Sequence, residues 1–115
     1  MEYPNIVENG KTFSIQFKPS EGAHKIENID LMVDLDSLGE TIGIELLDMM
    51  DQTKSKCIVN DFHFSKGDEL SISYDPECDA AYIAVKTGKI NKTLNKKGTI
   101  FTGSKKEFLG LAFEK

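Results

Sequence analysis

Large apolar residues alternate with polar ones in several separate runs along this chain. Phe13, Ile15 and Phe17 alternate with Thr12, Ser14 and Gln16. Ile29, Leu31, Val33 and Leu35 follow the same rule, as do Ile42, Ile44 and Leu46, and then Leu70, Ile72 and Tyr74. A period of two places each apolar set on one face of a pleated strand, so the pattern predicts strands rather than helices. Turn residues separate the runs: Pro19-Ser20-Glu21-Gly22, Asp36-Ser37-Leu38-Gly39, Lys66-Gly67-Asp68, Thr87-Gly88 and Gly103-Ser104-Lys105-Lys106. A closing strand is predicted near Phe108–Phe113. One short helix fits, at about Leu47–Gln52, where Met49 and Met50 can fill gaps on docking. Thr53–Lys56 is polar and reads as a linker, and Cys57–Phe64 fits either a strand or a connecting loop.

Two pairs of segments match each other. Phe13-Ser14-Ile15-Gln16-Phe17-Lys18-Pro19 parallels Leu70-Ser71-Ile72-Ser73-Tyr74-Asp75-Pro76, 57 positions on. Glu40-Thr41-Ile42-Gly43-Ile44-Glu45-Leu46 parallels Glu107-Phe108-Leu109-Gly110-Leu111-Ala112-Phe113, 67 positions on. The extra length falls around Tyr82-Ile83-Ala84-Val85, so the first unit is expected to lack or shorten that strand. Pro ends a strand because it cannot donate to the ladder, and a Gly inside a strand marks a bulge or a close backbone approach. The prediction is a mainly β (β-rich α+β) fold. Two antiparallel meander units, about 12–52 and 69–115, pack with pseudo-twofold symmetry, with one short helix between them. The linker is about 53–68, and residues 1–115 form one compact domain, because a unit of about 50 residues hardly buries a core alone.

Charge adds an asymmetry. Residues 1–56 hold eleven acids and five lysines, whereas residues 57–115 hold eight acids and nine lysines. Seven lysines and no acid lie between Ala80 and Lys106, and the chain contains no Arg. A basic strip attracts acidic partners. Without the bidentate fork of Arg, however, nucleic-acid reading is not expected. No apolar run approaches the roughly 20 residues of a membrane helix, and the N-terminus lacks the order of a signal peptide, so the expectation is a cytoplasmic protein. Cys57 and Cys78 form no C-x-x-C pair and are expected to be ordinary thiols.

The stretch Leu70-Ser71-Ile72-Ser73-Tyr74-Asp75-Pro76-Glu77-Cys78-Asp79-Ala80-Ala81-Tyr82-Ile83 resembles the opening of the Domain of Unknown Function 2283 family, short prokaryotic domains with a strand and then Tyr-Asp-Pro-Glu-Ala-Asp-Ala-Leu-Tyr-Ile. The family closes with an Asp-rich hairpin and a Gly-Ile-Glu-Ile-Leu strand. Here Val33–Leu47 carries the best match to that closing pattern, so each unit keeps one half of it. The departures are Cys78 and Ala81 in the opening, and Lys18, Ser20 and His24 in the matching region of the first unit. The resemblance implies a small antiparallel meander and no established activity. Some members look like partners of small toxins, which implies antitoxin-like binding.

Asp75, Glu77 and Asp79 form the densest acidic cluster, flanked by Tyr74 and Tyr82. They read as metal ligands or an acid-base pair. They also read, more simply, as a turn in which Asp75 caps, Pro76 takes the first position and Glu77 favours the positive end. Asp34-Leu35-Asp36-Ser37-Leu38-Gly39-Glu40 resembles a calcium loop, but Leu38 stands where a third oxygen ligand belongs, so a hairpin turn accounts for it. Asp61-Phe62-His63 puts Asp and His on one strand face, short of the three or four ligands a metal needs. No catalytic residue, metal ligand or cofactor is assigned.

The leading expectation is a non-catalytic protein-interaction module, antitoxin-like or phage-associated, with a protein partner and with homodimerisation open. Its candidate surfaces are an exposed edge strip, Lys86, Lys89, Lys92, Lys96 and Lys97, and an acidic face, Asp34, Asp36 and Glu40. One alternative is a metal-binding or hydrolytic enzyme using the Asp75–Asp79 turn. The other is a self-associating structural protein.

Overall fold

The computed structural model describes residues 3–19, 21–54, 64–66 and 70–115. Within them the chain forms β1 (Asn5–Glu8), β2 (Thr12–Gln16), β3 (His24–Leu35), β4 (Thr41–Leu46), α1 (Met49–Thr53), β5 (Phe64–Lys66), β6 (Leu70–Asp75), β7 (Ala80–Ala84), β8 (Lys92–Thr102) and β9 (Phe108–Glu114). The alternating runs all become strands, and the short helix stands where the methionines place it. The fold is mainly β.

All nine strands join in one antiparallel sheet, in the order β1-β2-β9-β8-β3-β4-β7-β6-β5. The two longest, β3 and β8, pair at its centre from His24 opposite Thr102 to Leu35 opposite Lys92. The halves of the chain therefore do not stand side by side. The β1–β2 hairpin of the first half docks on β9 of the second, and the β6–β7 hairpin of the second docks on β4 of the first.

This exchange repeats in detail. The β3–β4 pair shifts register between Asp34 and Leu35, and the β8–β9 pair shifts between Phe101 and Thr102, 67 positions on. In the turn after β3, Asp36 N–H donates to Glu40 C=O at 3.0 Å and Gly39 N–H to Asp36 C=O at 3.1 Å. After β8, Gly103 N–H donates to Glu107 C=O at 3.0 Å and Lys106 N–H to Gly103 C=O at 2.9 Å. Gly39 and Lys106 both take positive φ, 79° and 63°. Where the exchanged strands end, Phe17 N–H reaches Leu109 C=O at 2.8 Å and Val85 N–H reaches Ile42 C=O at 2.9 Å. The pseudo-axis passes through the central pair of Asp30 and Lys97, which face each other across β3 and β8.

The sheet thus matches β1 to β6, β2 to β7, β3 to β8 and β4 to β9. That corrects two expectations. The topological counterpart of Phe13–Gln16 is the strand from Ala81, not Leu70–Asp75. The strand at Tyr82–Val85 is not missing from the first half; β2 occupies its place. Alternating strands resemble one another, and only the partner strand fixes register.

The inner face carries the core. Phe13, Ile15, Ile29, Leu31, Val33, Ile44, Leu46, Met49, Ile72, Ile83, Ile100, Phe108, Leu111 and Phe113 form one buried cluster that draws on both halves. Phe13 and Phe113 stack within it at 5.2 Å between ring centres. A flat sheet of nine strands, spaced about 4.8 Å apart, would leave such a face in water. This one curls, giving a radius of gyration of 13.2 Å. The curl is latched by Glu8. Although β1 and β4 stand five places apart, the Glu8 carboxylate accepts the Thr41 N–H at 3.1 Å and the Thr41 hydroxyl at 2.8 Å, and pairs with Lys115 at 2.8 Å.

Candidate functional site

The structure ties the acidic face and part of the basic strip to each other. Lys86 leaves the end of β7 and pairs with Glu40 and, at 3.7 Å, with Asp36. The Glu40 hydrogen bond holds the Lys86 ammonium above its ordinary pKa. Asp36 also accepts the N–H groups of Leu38 at 2.9 Å and Glu40 at 3.0 Å, and these backbone donors, Glu40 first, hold its carboxyl below the ordinary value. The tight turn between β3 and β4 creates that geometry, since an Asp opening a turn bonds its own backbone two residues on.

Asp34 lies deeper. It is 8 % exposed and accepts the Tyr82 hydroxyl at 2.9 Å and the Thr93 hydroxyl at 2.7 Å. Burial and the Asp34 hydrogen bond together push Tyr82 up to about 12. The Tyr82 ring crosses the outer face of β4 above Gly43, and a Cβ on Gly43 would collide with the phenol oxygen. Asp34 is therefore an internal acceptor, not a surface charge.

The remaining lysines do not form an edge. Lys92, Lys96 and Lys97 lie on β8, paired with β3 at the centre of the sheet, and Lys97 pairs with Asp30. This corrects the expected exposed edge: the sheet ends at β1 and β5. Of the three, only Lys97 faces an acid across the ladder; Lys92 and Lys96 stand opposite Leu35 and Leu31. Lys89 stays exposed in the connection before β8.

In the Asp75–Asp79 turn, Asp75 accepts the Glu77 N–H at 3.0 Å, and Glu77 is exposed. Asp79 turns back at φ 50° and caps α1. Its carbonyl accepts the Met49 N–H at 3.0 Å, and its carboxylate accepts the Met50 N–H at 3.0 Å and the Tyr74 hydroxyl at 2.5 Å. That hydrogen bond pushes Tyr74 up to about 12. Asp79 spends its acceptors on joining β6, the turn and the helix. A hydrogen bond to Asp75 raises the Cys78 thiol, the wrong direction for an activated nucleophile. Among the described residues, no three His, Cys, Asp or Glu side chains converge to hold a metal ion. Cys57, Asp61 and His63 lie outside the described residues.

One surface escaped the sequence pattern. β1 is an end strand whose Ile6 and Val7 are 39 % and 48 % exposed. In register, Ile6 faces inward opposite Ile15, and Val7 faces outward opposite Ser14. The matching strand of the other half, β6, is covered: β5 pairs with it, Phe64 opposite Ile72. No described strand does the same for β1. The signal in the sequence was Ile6-Val7, too short a run to show a period. No described helix is long and apolar enough to cross a membrane. Comparisons with known protein families, curated proteins and solved structures find no match for the chain.

Proposed function

We propose that this protein is a non-catalytic interaction module that captures a partner by strand addition along β1. The observation that carries this reading is the unequal treatment of two corresponding edges. The β6 edge accepts the three residues of β5, whereas the β1 edge presents Ile6 and Val7 to solvent. An unpaired strand edge offers a row of backbone donors and acceptors, and apolar side chains on either face supply affinity to an added strand. Several of the acidic and basic candidates serve the fold instead: Asp34 and Asp79 hold elements together, and Lys86 and Lys97 answer acids of the same chain. The antitoxin-like role implied by the family resemblance fits this geometry, with an extended segment of the toxin as the added strand. We further propose that the halves are diverged copies of one four-stranded unit, which explains the shared bulges and turns.

Co-purification from the native source tests the function. A stoichiometric protein partner is expected, and hydrogen exchange on the complex should show slowed amides in Asn5–Glu8. Ile6→Lys should release the partner while leaving the unfolding midpoint in place. A partner retained by Ile6→Lys, with β1 amides unprotected, would overturn the reading. Pairing of β1 with a second copy would appear as a dimer lost in the same variant.

A further inference from the structure

We propose that the end of the curled sheet between the turns at Gly10 and Gly39 is a binding site for a small amphipathic anion, a carboxylate on a short hydrocarbon tail, with Lys96 holding the carboxylate. A cavity of about 240 Å³ lies there on the inner face, walled by Val33, Leu35, Leu94 and Phe113, and Lys96 lines it with them. On β8, Leu94 stands opposite Val33 and Lys96 opposite Leu31, and Val33 and Leu31 belong to the buried core. A period of two therefore puts this lysine on the apolar face of the sheet. The other half of the molecule shows what the place holds when nothing is to be bound. The pair Ile29–Gly98 and the pair Leu31–Lys96 flank the pseudo-axis, so Lys96 is the counterpart of Ile29, which is 2 % exposed. A cation stands in the second half where the first half has a core isoleucine.

That cation has no acid of its own. Lys115, the other lysine at this mouth, pairs with Glu8, and Lys97 pairs with Asp30, but no carboxylate among the described residues pairs with Lys96. A lysine stem can lie along an apolar wall, whereas its ammonium needs either water or an anion. The cavity thus presents a hydrocarbon wall and one unanswered positive charge, which is the complement of an amphipathic anion. A single ammonium, without the fork of Arg, suits a monoanionic carboxylate better than a phosphate. The volume sets the size: at roughly 30 Å³ for each water-sized group, it admits about eight non-hydrogen atoms, a carboxylate with a tail of about five carbons. The two turn glycines leave the way in open, since a Cβ added at Gly10 or Gly39 would meet no atom within 4 Å. Mostly apolar cavities with a few placed polar groups, at the mouths of curled sheets among other places, are the usual form of a small-molecule site. No described residue of β1 lines the cavity, so the site goes beyond the strand-addition reading and does not depend on it.

Amide-resolved NMR on the full chain tests it, with hexanoate as the probe and hexan-1-ol and hexylammonium as controls with the same tail. Hexanoate should shift the amides of Val33, Leu94, Lys96 and Phe113 saturably, at roughly millimolar concentration. Hexanol should bind several-fold more weakly, and hexylammonium should leave these amides in place. Lys96→Met keeps the stem and removes the charge, so it should bring hexanoate down to the level of hexanol without weakening hexanol. Lys96→Gln gives a second test of the charge, and Leu94→Phe, which fills the cavity, should abolish both responses. The spectrum of each variant reports directly that it is folded. Equal binding of hexanoate and hexanol to the wild type, shifts lying away from the cavity, or a preference for hexanoate that survives in a folded Lys96 variant would each overturn the proposal. So would a stronger response to N-acetyl-alanyl-leucine than to hexanoate, because the site would then read the carboxylate end of a peptide.

Discussion

The latch at Glu8 gives the sharpest test of how this sheet closes. Thr41 is fully buried, and both its N–H and its hydroxyl are satisfied by one carboxylate from the far end of the sheet. Glu8→Ala strands both donors. A buried polar group left without a partner costs about 1–3 kcal/mol, so the pair together should cost about 2–6 kcal/mol. Against a total stability of about 5–15 kcal/mol for a domain, that is a large fraction. Glu8→Gln keeps an oxygen for Thr41 and loses the Lys115 ion pair, which is worth about 0.2–1 kcal/mol when partly exposed. The predicted order in urea unfolding at pH 7 is therefore wild type, then Gln close behind, then Ala well below.

The same carboxylate predicts a pH dependence. Burial opposes the Glu8 charge, but the hydrogen bonds from Lys115 and Thr41 outweigh it and hold the pKa below the ordinary 4.5. A group depressed in the folded state contributes stability above its unfolded pKa and loses it as pH falls through the folded value. The gap between wild type and Glu8→Gln should be constant above about pH 5.5 and should shrink as pH falls below about 4.5. If Glu8→Ala unfolds within about 0.5 kcal/mol of wild type, the range of an ordinary surface change, the latch is not what closes the sheet. A wild-type-to-Gln gap that is flat from pH 7 to 3 would refute the charge argument separately.

Two further outcomes follow from the outer face and the turn. In an alkaline absorbance titration, Tyr74 and Tyr82 should ionise near 12, and Asp79→Asn should bring only Tyr74 down; the stability each raised phenol contributes is present below pH 10 and is lost as pH rises through 12. Gly43→Ala and Gly110→Ala should both destabilise, but for different reasons. Gly43 meets the Tyr82 side chain, so Tyr82→Ala should recover much of the loss, whereas a Cβ on Gly110 meets the Ile15 carbonyl oxygen at 2.5 Å, and no side-chain change should rescue it. Thermal melts of the two single variants and of Gly43→Ala/Tyr82→Ala settle the comparison.

Much of the fold was legible because its inner face is a simple alternation. Phe13 and Ile15, Leu31 and Val33, Ile44 and Leu46, and Leu70 and Ile72 sit in the core as their period requires. The strand β8 was harder. Lys92, Lys96 and Lys97 read as an exposed edge because lysines protect edges in general. Here they lie at the centre of the sheet, and Lys97 answers Asp30, a partner 67 residues away that no local window contains. β1 was missed because four residues, with Ile6 and Val7 adjacent, show no period. The acidic candidates were visible as residues, but not their roles: Asp34 read as part of an acidic face, and Asp79 as a metal ligand, an acid-base group or a turn residue, until Tyr82, Thr93 and Met50 were placed around them.

The local pattern alone determined that the runs at Phe13–Ile15, Ile29–Leu35, Ile42–Leu46, Leu70–Tyr74 and Phe108–Phe113 form strands and that a turn lies at Asp36–Gly39. Those features depend on neighbours within a few positions, where backbone sterics and a period of two act directly. Only the tertiary structure decided that β2 belongs beside β9 and β7 beside β4, so that each half is completed by the other. Strands that alternate alike can pair in many orders of similar local energy. The choice among them is made by burying one shared core and by giving buried polar groups, such as the Thr41 N–H, a partner across the curled sheet.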